Sequence, residues 1–238
     1  MQQDDMTKSS LSEDNFEIEE FEKNGMRLMG KSSDSLTIKD KLFPKLENLT
    51  AEERRYTLVT RDVSWDSYSR AYKKAADVLV KHIENINCPS DDLVYPIMFL
   101  YRHFLELTIK KIIVKVTVHN QELQLPEDFY NQHNLNTLWC RCEEFLLKAL
   151  PDLTAKDKDD LKQINRIIKE FCELDKKSTE FRYSDNKNSE PLIKSNTQFP
   201  ITVIREIIWK IYNILDEKNF YLDFSQEQEL MWNEHLNN

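Results

Sequence analysis

Glycine is almost missing from this chain. Gly25 and Gly30 are the only two, and none occurs from residue 31 to 238. Phosphate-cradling loops, dinucleotide folds and tight primed hairpins use backbone conformations that glycine adopts without steric penalty. The scarcity argues against a kinase, a P-loop NTPase and a Rossmann enzyme. An architecture that closes without glycine is a bundle of helices, and 40% hydrophobic residues in 238 suffice to fill its core. The expectation is an all-α fold: a bundle of four to five main helices, a flexible acidic N-terminal arm over residues 1–40, and a short C-terminal helix. Residues 41–238 then form a single helical domain.

The charge of −9 is unevenly spread. Asp4, Asp5, Glu13, Asp14, Glu17, Glu19 and Glu20, against Lys8, supply −6 of it, so the other 218 residues stand at −3. A protein that grips long nucleic acid through its phosphates shows a basic excess or stripe, and neither is evident here, which leaves room only for a local basic pocket. The first forty residues are too polar to offset their ordering entropy and read as an arm suited to a protein partner. Within it, "FEIEEFEKNGMRLM" is a short amphipathic piece. No uncharged apolar run reaches 18 residues, and the N-terminus lacks the basic start and apolar segment of a secretion signal, so the expectation is a cytoplasmic chain with no membrane partner. Cys88, Cys140, Cys142 and Cys172 are expected to be reduced. Cys140 and Cys142 would point about 200° apart on a helix, and no Cys-x-x-Cys or His-x-x-x-His spacing suggests zinc. Neither a metal nor a cofactor is expected.

Helical periodicity begins at Trp65 and continues through Tyr68, Tyr72, Ala75, Ala76, Leu79 and Ile83, with Ser64 as N-cap. After a break at "NCPSDDLVYP", a second helix opens near Pro96 and runs to about Val118. A third presents Leu135, Leu138, Trp139, Cys142, Phe145, Leu146 and Ala149 on one face. Thr154 with Asp157 forms a capping box before a fourth helix ending near Leu174. A loop of about 25 residues comes next, long enough to suggest a role in function. Pro200 opens a fifth helix bearing Ile204, Ile207, Ile208, Ile211 and Leu215.

The second helix, "YPIMFLYRHFLELTIKKIIVKV", carries Arg102, His103, Glu106 and Lys110 in one sector of an otherwise apolar wheel. Such a helix belongs in the middle of a bundle, so its charged sector is expected to face a groove or another helix. Arg102 with Glu106, and Glu106 with Lys110, are i,i+4 pairs, and a structural ladder accounts for them as well as a site does. His133 stands at the start of the third helix, where unsatisfied amides favour an anion or a cap. "ELDKKSTEFRYSDNKN" contributes Asp175, Ser178, Arg182 and Tyr183, an arginine between aromatic rings that suits a phosphate, a carboxylate or a base. Its bland alternative is a loop anchored by Phe181 and Tyr183, with Arg182 paired to Asp175.

The ordered set "YRHFLEL" with Lys110 one turn on, "HNLNTLW" and "DKKSTEFRY" resembles prokaryotic helical proteins akin to the HEPN superfamily, over roughly residues 60 to 220. The resemblance implies a helical bundle, commonly a homodimer, in toxin–antitoxin, phage-defence or RNA-processing systems. Many such proteins are metal-independent ribonucleases with an Arg-x4-6-His motif. No arginine of this chain is followed by histidine at that spacing. A substitute site would use His103 and His133 as base and acid, Arg102 and Arg182 as phosphate clamp, and Glu106 to orient them, with Lys110, Asp175, Ser178 and Tyr183 at the ligand. Two readings stand: a protein that binds RNA or a nucleotide and cleaves RNA without metal, or a non-catalytic interaction module whose polar cluster is structural.

Overall fold

The computed structural model describes residues 47, 50, 64–86, 91–120 and 122–236. The acidic arm, its amphipathic piece and Cys88 lie outside the described residues. The chain divides into two compact units, residues 1–58 and 59–238, and the described helices from Trp65 onward all belong to the second.

That unit is all-α among the described residues, with α1 at Trp65–Ile86, α2 at Val94–His119, α3 at Leu135–Ala149, α4 at Ala155–Leu174 and α5 at Ile201–Leu236. Single-turn 3-10 helices at Asp91–Leu93 and Phe129–Asn131 precede α2 and α3. The helix starts are chemically marked. Ser64 and Ser67 satisfy each other's amides reciprocally at 3.0 and 3.2 Å. Asn134 caps α3 by accepting from the Thr137 amide at 3.0 Å. Thr154 and Asp157 form the expected capping box of α4.

α2 is the axis of the bundle, packed against α1, α3 and α5, while α4 packs on α3. Tyr101, Phe104, Leu105, Ile109, Ile112, Ile113 and Val116 are buried, and so are Arg102, Glu106 and Lys110. The charged sector therefore faces protein. The separate C-terminal helix expected from the sequence is the continuation of α5, which runs unbroken for 36 residues. No proline or glycine occurs from 201 to 236, so nothing in the local chemistry stops it.

The connection from Asp175 to Pro200 is held down by rings: Phe181 meets Phe171 of α4 and Phe199 edge-on, with centroids 6.1 and 5.9 Å apart. With no glycine available, Ser178, Ser189 and Asn196 take the left-handed conformation at φ 63°, 60° and 63°. Ser178 is the one that matters for the site.

Candidate functional site

Three segments meet on the charged sector of α2. The Arg102 guanidinium is the hub. Its Nη1 donates to Glu106 Oε2 at 2.9 Å, its Nη2 contacts the His133 carbonyl and Ser178 Oγ, and its Nε pairs with Asp175 Oδ2. Nη1 and Nη2 are thus hydrogen-bonded to protein groups, while Nε meets Asp175 Oδ2 as a charge contact without hydrogen-bond geometry. One turn on, Lys110 Nζ donates to Glu106 Oε1 at 3.1 Å and to the Tyr130 carbonyl at 3.4 Å, and lies 5.8 Å from the centroid of Phe129. His133 Nδ1 is 2.8 Å from the same Glu106 oxygen.

The loop after α4 closes the other side. Asp175, at the C-cap of α4, accepts from the Glu180 amide at 3.2 Å through Oδ1 while its Oδ2 faces Arg102. Ser178 Oγ donates to the His133 carbonyl at 3.0 Å. The left-handed backbone at Ser178 turns the chain so that its carbonyl receives Arg182 Nε at 2.8 Å. Arg182 therefore binds Ser178, and Asp175 belongs to Arg102. Arg182 and Tyr183 lie at the outer side of this loop, with the guanidinium 5.7 Å from the ring centroid of the exposed tyrosine.

The electrostatics follow from burial and pairing. Burial alone would raise the Glu106 carboxyl, but hydrogen bonds from His133, Arg102 and Lys110 outweigh it and hold the group below its ordinary value. Asp175 moves the other way, up to about 6, chiefly because burial strips its water, with Glu180 beside it adding to the rise against the pull of Arg102. Glu180 is lowered: its own burial opposes ionisation, and bonds from Asp175 and the Thr179 and Lys177 amides prevail. A Glu106 carboxylate accepts only, so His133 Nδ1 carries the proton in the neutral ring, and Nε2 is left as the lone-pair nitrogen. With 60% of its side chain exposed, His133 is the wet edge of an otherwise dry cluster.

The structure brings together Arg102, Glu106, Lys110, His133, Asp175 and Ser178, with Arg182 and Tyr183 one residue layer outward. His103 stands apart from their hydrogen bonds. Its ring stacks on Phe99 at 5.9 Å and meets Tyr72 edge-on at 4.4 Å, and burial lowers its pKa. Sequence reasoning missed Glu180, whose buried carboxylate folds back onto the loop amides. Its position between Thr179 and Phe181 carries no signal of that.

A cleft of about 780 Å³ lies elsewhere, lined by Tyr95, Ser184, Ile193, Lys194 and Phe199 among others. Another of about 390 Å³ runs beside Phe129, Gln132, Thr137, Cys140 and Arg141. Neither is lined by the Arg102 cluster. Among the described residues no group of three or more His, Cys, Asp or Glu is placed to hold a metal ion. Cys140, Cys142 and Cys172 are free thiols. No described helix is long and apolar enough to cross a membrane.

Fold and cluster together define an all-α bundle, among the described residues, whose central helix is tied to a distant loop by a buried ion pair. No family model, curated protein or solved structure matches the chain.

Proposed function

We propose that this chain is a non-catalytic helical binding module in which the Arg102 cluster is a scaffold. One observation carries the reading: the polar groups that α2 offers at Arg102, Glu106 and Lys110 are 3–5% exposed and bonded to protein partners. A phosphate clamp needs cationic donors left open to the ligand. Here Arg102 is occupied by two carboxylates, a carbonyl and a hydroxyl. The ties join α2 to the start of α3 and to the loop after α4, which sets the shape of the surface that the module presents.

A second reading draws on His133. Its Nδ1 rests on a buried carboxylate and its ring is exposed, an arrangement suited to a general base, and Arg182 is tethered to the neighbouring Ser178. On this reading a HEPN-like protein of a prokaryotic defence or stress system binds RNA or a nucleotide. His133 Nε2 takes the 2'-hydroxyl proton, the 2'-oxygen attacks phosphorus, and the departing 5'-oxygen leaves a 2',3'-cyclic phosphate. The 5'-oxygen takes its proton from solvent water, since His103 is packed between Phe99 and Tyr72. The homodimer that the resemblance implies belongs to this second reading too, whereas a protein partner for the acidic N-terminal segment belongs to the binding module.

Incubation of a mixed RNA substrate in EDTA with wild-type protein, His133→Ala and Arg182→Ala decides between them. The module predicts no cleavage in any sample. Cleavage that survives EDTA, leaves cyclic phosphate ends and disappears in both variants refutes the module and establishes a ribonuclease.

A further inference from the structure

α5 outruns the bundle that it joins. At 1.5 Å per residue its 36 residues span about 54 Å, against about 39 Å for the 26 residues of α2. Its buried face consists of Ile208, Ile211, Leu215, Lys218 and Leu222. The helix is pinned near the end of that face, where Lys115 Nζ reaches the Asn219 carbonyl at 2.9 Å and Asp223 at 2.5 Å, and Lys218 reaches Asp157. Beyond Leu222, the side chains described, at Asp223, Phe224 and Met231, are all exposed.

The other side of this helix is apolar as well. Phe220, Phe224 and Met231 are 64%, 50% and 62% exposed. At about 100° per residue they fall within an arc of about 40°, opposite the buried face. Three large apolar side chains aligned on the open face of a helix mark a protein contact, because scattered exposed residues would not share an arc.

Charge identifies the occupant. From Asp216 to Leu236 the chain carries six carboxylates against a single lysine, Lys218, and with Lys115 neutralising Asp223 the stretch still stands at −4. A nucleic acid or an anionic lipid surface would be repelled by this stretch. A second copy of α5 laid along it would bring together two strips of the same sign. An apolar stripe with acidic flanks fits a helix of the opposite kind.

We propose that the face of α5 from Phe220 to Met231 is a docking site for a basic amphipathic helix of a partner protein. Apolar side chains of the partner, spaced three and four apart, cover Phe220, Phe224 and Met231, and its lysines or arginines lie along Asp216 and Glu217. This surface is separate from the Arg102 cluster and independent of whether RNA is cleaved.

The test uses the full chain and two fluorescein-labelled 20-residue peptides, one an amphipathic Lys/Leu helix and the other its Glu/Leu counterpart, read by anisotropy. The Lys/Leu peptide is expected to bind saturably and the Glu/Leu peptide not at all. The triple variant Phe220→Ser, Phe224→Ser, Met231→Ser should weaken binding about tenfold or more, as expected when anchors are truncated. The single Phe224→Ser variant should weaken it partway. The three side chains are exposed, so the melting temperature of the variants should match wild type. Unchanged affinity in the triple variant would mean attraction by charge alone and overturn the proposal. So would equal binding of both peptides, binding of neither, or a wild-type dimer that the triple variant turns into a monomer.

Discussion

Replacing Arg102 by alanine removes the hub of the α2 cluster and leaves two carboxylates behind, Glu106 at 3% exposure and Asp175 at 4%. Removing one partner of a buried ion pair costs about 3–5 kcal/mol, because the remaining charge is desolvated without compensation. Glu106 keeps Lys110 and His133, whereas Asp175 keeps only the Glu180 amide among these bonds, so most of the loss falls on the loop. The expected destabilisation is about 3–5 kcal/mol. For a unit of this size that corresponds to a melting temperature lower by about 6–20 °C. Urea unfolding followed by circular dichroism at 222 nm measures it, and a double-mutant cycle with Asp175→Asn isolates the pair. If Arg102 were a phosphate clamp instead of a scaffold, the alanine variant would stay folded and lose ligand. A loss below about 1 kcal/mol, with no coupling to Asp175, would refute the reasoning.

Acid should weaken the fold. Glu106 and Asp157 are held below their ordinary values, Asp157 mainly by Lys218, so their contribution is present at neutral pH and lost as pH falls through the folded-state pKa. Asp175 has the opposite sign: its folded pKa of about 6 lies above the ordinary 3.8, so its contribution declines as pH rises between those values. Asp175→Asn should therefore make stability climb more steeply with pH over that window, and denaturant midpoints at pH 4, 5 and 6 that show an unchanged slope would contradict the assignment. Ser178→Gly relieves a left-handed residue while Ser178→Ala does not, and both lose the hydroxyl bonded to Arg102 and His133. Glycine should be the milder change by about 1–2 kcal/mol, and equal melting temperatures would remove the case for strain there. Thr154→Ala should cost about 0.5–2 kcal/mol through the α4 capping box, with Thr154→Ser close to wild type in the same melts.

Much of the helical layout was readable from local chemistry alone. Ser64, and Thr154 with Asp157, mark helix starts because capping is a contact between residues three apart or fewer, and apolar spacing of three and four identifies the packed faces. The near absence of glycine restricted the architecture before any contact was known. The C-terminal helix was harder: its separation from the fifth rested on a change of composition, and the backbone ignores such a change when no breaker is present.

The character of the cluster was decided by tertiary structure. The i,i+4 ladder of Arg102, Glu106 and Lys110 is visible on a helical wheel, and the proximity of His133 and the loop was a fair expectation. Whether Arg102 opens toward a ligand or is closed by protein depends on Ser178, 76 residues away, and on the left-handed turn that aims it. No local rule sets that distance, since it follows from how α4 packs on α3 and returns the loop to α2. The same holds for α5, where both faces are apolar in sequence and only packing determines that Ile208, Ile211, Leu215 and Leu222 are covered while Phe220, Phe224 and Met231, on the opposite face, are left in water. Periodicity reports which side chains share a face, and packing determines which face is covered.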